Sequence, residues 1–264
     1  MTARRNSARP STASPTLPNP GSRLRSMHEL LAATYGPQHW WPADSPFEVI
    51  LGAYLTQNTA WKAVERSLAN LRNAGALTLD GLRAIPTAEL QILIRPSGFP
   101  TRKAPALKAF VAMLDEEFCG SLDVLAATPT AVLRPRLLAL PGAGPETADA
   151  ILLYALRHPV PVADEYLRRI ADRHQLIVPP PGRNRKGYEA LAELTRQAFA
   201  ADQSATPAAR AQLFNEFHAL VVAVGKSHCG AVPRCHGCPL ADDLKWIGLS
   251  EIRLQTPIKN QRST

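Results

Sequence analysis

Long apolar runs are missing from this sequence. Its most apolar stretches, at 150–156 and 219–225, are too short to cross a bilayer, and residues 1–22 lack the apolar core of a secretory signal. Strand-like alternation of apolar and polar residues is also missing, apart from a weak pattern near 158–163. These absences predict a cytoplasmic protein that makes no membrane contact and is built from helices.

Cysteine is also scarce. Four cysteines in a chain of 264 residues are too few for a disulfide framework. Three of them fall between positions 229 and 238, and such crowding favours a metal ion or cluster in a reducing compartment.

Positive charge, in contrast, is plentiful. Thirty Lys and Arg residues against twenty-two Asp and Glu residues give a formal charge of +8 and a pI near 9.6. This balance favours a polyanionic partner, and nucleic acid is the most abundant one in the cytoplasm. An ordinary basic enzyme without such a partner is the alternative.

Short amphipathic segments predict an all-α protein. The stretch from Phe47 to about Leu71 has helical spacing with a break near 57–59, and further segments follow between Gly and Pro residues. Residues 1–22 are rich in Pro, Ser, Arg and Thr and have little to bury, so we predict a disordered basic tail there.

The stretch LPGAGPETAD (140–149) places two glycines between two predicted helices. Gly142 and Gly144 allow a tight turn and a close approach of the backbone to a ligand. The N–H groups of the turn and of the next helix then suit an anion such as a DNA phosphate. We assign Gly142, Gly144 and Thr147 to phosphate binding, with a plain helical hairpin as the alternative.

Several motifs occur in order between about Leu24 and Leu244: LTQNTAW (55–61), SGFPTRKA (97–104), LPGAGPETADAILLYAL (140–156) and VADEYLRRI (162–170). Together they resemble the helix–hairpin–helix (HhH-GPD) DNA glycosylase superfamily, and endonuclease III in particular. The resemblance implies a two-lobed all-α fold with a helix–hairpin–helix motif and a C-terminal Cys-rich loop. It also implies a monomer, associated with the nucleoid, that binds double-stranded DNA containing damaged bases.

The same resemblance implies a domain organisation. One lobe, a six-helix barrel, is expected at 47–155 and includes the helix–hairpin–helix at about 131–156. The second helical lobe is expected to combine 23–46 with 156–250, including the Cys-rich loop at 229–244. Residues 251–264 are expected to form a basic tail.

Asp164 follows Glu146 by 18 residues, the spacing at which the resemblance implies a catalytic aspartate. A carboxylate there can stabilise an oxocarbenium-like sugar and orient the attacking water. An Asp at a helix start is also a common N-cap, and Asp164 can fill both roles. Lys103 and Arg168 are assigned as DNA phosphate contacts, with solvated surface charge as the alternative.

Glu146 takes the hairpin position at which endonuclease III has a lysine that attacks the sugar. A carboxylate cannot form a Schiff base, so we predict hydrolysis without lyase activity. The variant most resembles the 3-methyladenine DNA glycosylase III subgroup, which implies removal of alkylated purines. Glu146 is assigned a catalytic role, with favourable interaction with the helix dipole as the alternative. An endonuclease III-type lyase on oxidised pyrimidines and a non-catalytic damage-binding protein remain competing functions.

Three tryptophans lie near the QNT motif, which suggests a base pocket. Cationic alkylated purines stack well on aromatic rings, so Trp40, Trp41 and Trp61 are assigned to the pocket. Any single tryptophan is more often part of a core. The resemblance assigns Gln57 as the wedge that fills the space of a flipped base; a helix cap or a solvated residue is the alternative.

The spacing Cys229-x5-Cys235-x2-Cys238 resembles the C-x6-C-x2-C-x5-C loop that holds a [4Fe–4S] cluster in endonuclease III. Leu244 stands where the fourth cysteine is expected. The alternatives are therefore a [4Fe–4S] cluster with another fourth ligand, a zinc site, or no metal. Four residues are candidates for the fourth ligand: His228, His236, Asp242 and Asp243.

Overall fold

The computed structural model describes residues 18–41, 43–201 and 206–246. All regular secondary structure in these ranges is helical, as predicted. The helices are α1 (Pro20–Tyr35), α2 (Pro46–Leu55), α3 (Trp61–Asn73), α4 (Leu79–Ala84), α5 (Thr87–Leu93), α6 (Pro100–Phe118), α7 (Leu122–Ala127), α8 (Thr130–Ala139), α9 (Pro145–Ala150), α10 (Glu165–Arg173), α11 (Arg185–Ala198), α12 (Pro207–Ser227) and α13 (Ala241–Trp246). A π-helical turn, Ile151–Ala155, extends α9.

Helix starts follow local capping signals. Ser45 accepts a hydrogen bond from the Glu48 N–H at the start of α2, and Asn184 accepts one from the Gly187 N–H at the start of α11. These side chains satisfy backbone donors that have no partner inside the helix. The predicted break between α2 and α3 is confirmed, since α2 ends at Leu55 and α3 begins at Trp61.

Two sequence predictions need correction. The weak strand pattern near 158–163 does not form a strand, and 157–164 is an irregular connection within the described chain. Helix α1 begins at Pro20, inside the predicted disordered tail, because Asn19 caps it by accepting from the Ser22 N–H. Residues 1–17 and the predicted tail at 251–264 lie outside the described residues.

A single cluster of buried side chains connects most helices and places the hairpin at its edge. Helix α2 packs against α3, α6 and α9, while α1 packs against α11 and α12. Helix α10 packs on α12, which brings the start of α10 close to the π-helical turn that α12 also contacts. The two-lobe division stays a prediction. No helix in the described ranges has the length and apolarity needed to span a membrane.

Candidate active site

Asp164 is the N-cap of α10. Its Oδ1 atom accepts a hydrogen bond from the Leu167 N–H at 2.9 Å. Its Oδ2 atom lies 3.6 Å from Nε2 of His218, and only 12% of the Asp164 side chain is exposed. The capping role is therefore observed, and it leaves one carboxylate oxygen for other contacts.

Glu146 lies in the first turn of α9, directly after the hairpin. The residue is exposed to solvent, yet protein atoms surround its carboxyl group densely enough to raise its pKa to about 7. Desolvation is the largest cause, the charge of Asp164 adds to it, and His218 opposes it. The structure thus brings together the two carboxyl groups predicted to be catalytic.

Two residues of this site were missed by the sequence analysis. The Tyr154 hydroxyl makes a short hydrogen bond with Nδ1 of His218, whose Nε2 faces Asp164. Tyr154 comes from the π-helical turn and His218 from the middle of α12. Burial raises the pKa of Tyr154 well above its usual value, with further contributions from Asp164 and Glu146. The phenol therefore stays protonated.

The predicted pocket tryptophans form one aromatic cluster. The rings of Trp41 and Trp61 meet edge to face with centroids 5.3 Å apart, and Trp41 also packs on Tyr154 at 5.1 Å. The ring centroids of Trp40 and Trp41 are 5.9 Å apart, and Nζ of Lys226 lies 5.5 Å from the centroid of the Trp40 ring. Through Tyr154, the cluster adjoins His218 and Asp164.

Gln57 connects the break between α2 and α3 to the hairpin. Its Nε2 donates to the Gly142 carbonyl at 2.8 Å and to the Thr147 hydroxyl at 2.9 Å. The Thr147 side chain is buried and its hydroxyl accepts from Gln57, so the assignment of Thr147 to phosphate binding, which stays a prediction, would depend on its backbone N–H. To enter a duplex as a wedge, Gln57 must give up both bonds.

Lys103 is engaged within the protein. Its ammonium group is buried and faces four acceptors: the carbonyls of Leu55, Gln57 and Ser97 and the hydroxyl of Thr59. Desolvation lowers its pKa to about 8. In this structure Lys103 connects the α2–α3 break to the start of α6, and its assignment as a phosphate contact stays a prediction.

Arg168 is likewise engaged within the protein. It forms a two-pronged ion pair with Glu165 at 2.6 and 2.8 Å, and 11% of its side chain is exposed. Glu165 also pairs with Arg169 and Arg183, so this group of side chains keeps a positive charge, and the assignment of Arg168 to phosphate binding stays a prediction.

The two hairpin glycines differ. Gly142 has φ of +74°, a conformation that favours glycine. Gly144 has ordinary extended backbone (φ −79°, ψ 175°), and a Cβ added there meets no atom within 4 Å. Nothing within the protein requires glycine at 144, which suits a position where a partner approaches the backbone.

The three cysteines line one small cavity with Arg173, His228 and Leu244. Nη1 of Arg173 donates to the Cys229 sulfur at 2.9 Å, and burial raises the pKa of Cys238 to about 11. Leu244 is buried at the edge of this cavity.

Two of the four candidate fourth ligands make other hydrogen bonds. Asp243 pairs with Arg23 and His174, while Nδ1 of His228 bonds the Arg234 carbonyl. Within the described ranges, no three His, Cys, Asp or Glu side chains are arranged to hold a metal ion. These residues do not fit a four-thiolate cluster.

Comparison with known proteins identifies the family. The family described as "HhH-GPD superfamily base excision DNA repair protein" matches residues 51–197. The chain belongs to the HhH-GPD superfamily. It is 35% identical over 222 residues to a candidate DNA repair glycosylase of Methanocaldococcus jannaschii, an alignment covering 83% of this chain and 94% of the relative.

Solved HhH-GPD structures agree with the fold. A 3-methyladenine DNA glycosylase of H. pylori bound to 1,N6-ethenoadenine is 29% identical, with a TM-score of 0.66 over 79% of this chain and 98% of that one. Endonuclease III in a non-covalent DNA complex has the same TM-score over 87% and 99%, at 21% identity. The protein is a DNA repair glycosylase of this superfamily, which confirms the resemblance.

Proposed function

We propose that this protein removes damaged bases, alkylated purines above all, from double-stranded DNA by hydrolysis and does not cleave the strand. One observation carries the proposal: Glu146 stands beside Asp164 at the hairpin position where a lyase needs an amine. Two carboxyl groups suit hydrolysis, whereas neither can form a Schiff base.

The chemistry divides between these groups. As the bond between C1′ and the base nitrogen breaks, its electron pair leaves with the base and C1′ becomes cationic. The Asp164 carboxylate stabilises this cation. The oxygen of a water molecule then bonds C1′, and the Glu146 carboxylate accepts the proton that the water loses. A pKa of about 7 suits Glu146 to this exchange near neutral pH.

The aromatic cluster supports an alkylated purine as the substrate. Such bases are cationic or electron-poor and are good leaving groups, and they stack favourably on indole rings. Lys226 already lies over Trp40, so Trp41 and Trp61 are the better platforms. The H. pylori glycosylase that shares this fold is named for 3-methyladenine.

Duplex DNA is the proposed partner. The formal charge of +8, the open Gly144 backbone and the DNA-bound endonuclease III neighbour support it. With Lys103 and Arg168 engaged internally, backbone N–H groups of the hairpin are left as the principal phosphate donors of the predicted set.

A lyase through another amine gains no support from Lys103. Its depressed pKa makes the amine more nucleophilic, but its nitrogen faces carbonyl oxygens of the protein. Reaction with a sugar would require breaking this set of hydrogen bonds.

The test uses duplexes that each carry one defined lesion, incubated with purified protein and analysed with and without alkali. Breaks that appear only after alkali support base removal alone. Borohydride added with an abasic duplex should trap no covalent adduct; endonuclease III serves as the positive control. Efficient trapping of a covalent adduct, or strand breaks without alkali, would contradict base removal by hydrolysis alone. Absence of base release from every duplex would contradict the proposed function.

A further inference from the structure

His218 is unusual among the buried histidines of this protein. Its Nε2 atom is buried and has no hydrogen-bond partner among the described residues, although Asp164 Oδ2 lies 3.6 Å away. By contrast, both ring nitrogens of buried His158 are partnered, by the Thr130 hydroxyl at 2.7 Å and the Ala126 carbonyl at 3.0 Å. Buried polar atoms are rarely left unpaired, so the exception calls for a functional reason.

When the His218 ring is protonated, Nε2 carries a proton in any case; when the ring is neutral, its contacts select one tautomer. If Nδ1 carried the only ring proton, the lone pair of Nε2 would face the Asp164 carboxylate and repel it. If the Tyr154 hydroxyl donates to Nδ1, the proton lies on Nε2 and points at Asp164. The raised pKa of Tyr154 keeps that hydroxyl protonated and therefore able to donate.

We propose that Tyr154 and His218 are positioning residues that orient the Asp164 carboxylate during base removal. Tyr154 fixes the imidazole, and the Nε2 proton of His218 holds the Oδ2 oxygen while the Leu167 N–H holds Oδ1. This inference rests on the proposed function, since it assigns the reacting group to Asp164.

The arrangement also connects the pocket to the carboxylate. The Tyr154 ring packs on Trp41 at 5.1 Å while its hydroxyl holds His218. A base that packs against Trp41 therefore contacts the ring that lies against Tyr154, the side chain that orients the His218 imidazole. The 3.6 Å separation is longer than a hydrogen bond, and a small rotation of either side chain closes it.

The experiment compares four variants. His218→Phe keeps a ring but removes the donor, and His218→Gln restores an N–H donor. Tyr154→Phe removes only the hydroxyl. His158→Phe, a matched control, removes a buried imidazole that bonds Thr130 instead. Each is measured for single-turnover base release from methylated duplex DNA, for duplex affinity and for thermal stability.

We expect His218→Phe to slow base release about a hundredfold, the order of loss caused by misplacing a reacting group by an ångström. Tyr154→Phe should slow it about tenfold, the equivalent of one hydrogen bond. His218→Gln should recover most of the rate, while duplex affinity stays unchanged throughout. His158→Phe should lower stability but not the rate of the folded protein. Equal rates for His218→Phe and wild type, or no recovery with Gln, would overturn the proposal.

A second readout does not depend on activity. The ¹⁵N shifts of the His218 ring, assigned by their loss in His218→Phe, report which nitrogen carries the proton. We expect the proton on Nε2 in wild type and a change in Tyr154→Phe. A proton on Nδ1 alone would refute the proposed orientation. If wild type releases no base but shows the Nε2 tautomer, the proposed function fails while the positioning geometry stands.

Discussion

Helix α9 carries two acidic residues one turn apart, Glu146 and Asp149, and their surroundings differ. Both oxygens of Asp149 are bonded by Arg134 at 2.6 and 2.8 Å, and the Tyr188 hydroxyl adds a bond at 2.9 Å. Arg134 also reaches Glu189 on α11. This cluster connects α8, α9 and α11, and its two carboxylates share the one guanidinium of Arg134.

Desolvation raises the pKa of both carboxyl groups, and Arg134 opposes this rise at Asp149, but the charges around Glu146 differ. Its neighbours include the carboxyl of Asp164, and both this charge and desolvation raise its pKa. The one imidazole nearby, His218, has an unpaired nitrogen. The two carboxyl groups at the start of α9 and α10 form the candidate site, and the ion pair of Asp149 with Arg134, one turn further along α9, supports it.

Substituting Asp164 tests the site most directly. Asp164→Asn keeps an N-cap for α10 but removes the negative charge. We expect base release to fall at least about a hundredfold, because roughly 3 kcal/mol of transition-state stabilisation is lost. Binding of duplex DNA should hold or strengthen slightly. Single-turnover rates and duplex affinities measure both. Unfolding, or full activity, would show that Asp164 is a cap alone.

Breaking the paired cluster should affect stability instead. Arg134→Met leaves Asp149 buried without its cation, which costs about 3 kcal/mol in the free energy of unfolding. Denaturant unfolding measures the loss, and the rate of base release per folded molecule should not change. As a control, Arg134→Met combined with Asp149→Leu removes both charges and should recover part of the stability. Loss of catalysis at constant stability would place this cluster in the site.

Local signals in the sequence were sufficient to predict the backbone features that position this site. The α2–α3 break, the hairpin glycines and the cap at Asp164 each depend on a few adjacent residues, and all were predicted. These features follow from backbone conformation and capping chemistry, which short segments specify.

Contacts between distant segments were not predictable in this way. Tyr154 and His218 lie 64 residues apart, each inside an apolar run typical of a core. The sequence predicted that Lys103 is a surface charge, but in the structure its ammonium group donates to the backbone carbonyls of residues 55, 57 and 97. The only sequence signal for His218 was a single imidazole within the apolar stretch of α12, a pattern more typical of a core histidine.

Removing the charge of Glu146 should separate stability from activity. The folded-state pKa of about 7 exceeds the ordinary 4.5, so the folded protein binds more protons between these pH values. Its contribution to stability is therefore present below pH 4.5 and lost as pH rises through 7. Glu146→Gln should raise the melting temperature at pH 8 yet slow base release, by about tenfold or more. Wild-type rates should rise from pH 6 to 8, and those of Glu146→Gln should be flatter. A melting temperature that falls at pH 8 would contradict the assigned environment.

The N-terminal end of α9 is also the place where we expect the DNA backbone to approach the protein. Gly144→Ala adds a methyl group that meets no protein atom within 4 Å at an ordinary φ, so stability should barely change. If a phosphate approaches this backbone, the methyl group should weaken binding of damaged and undamaged duplex alike, by several-fold. Gly142→Ala is the control: its φ of +74° strains alanine, so it should cost about 1 kcal/mol of stability. Fluorescence anisotropy and thermal melts separate the two effects. Unchanged affinity in Gly144→Ala would mean that DNA does not approach the hairpin at this residue, and that α9 serves the base site alone.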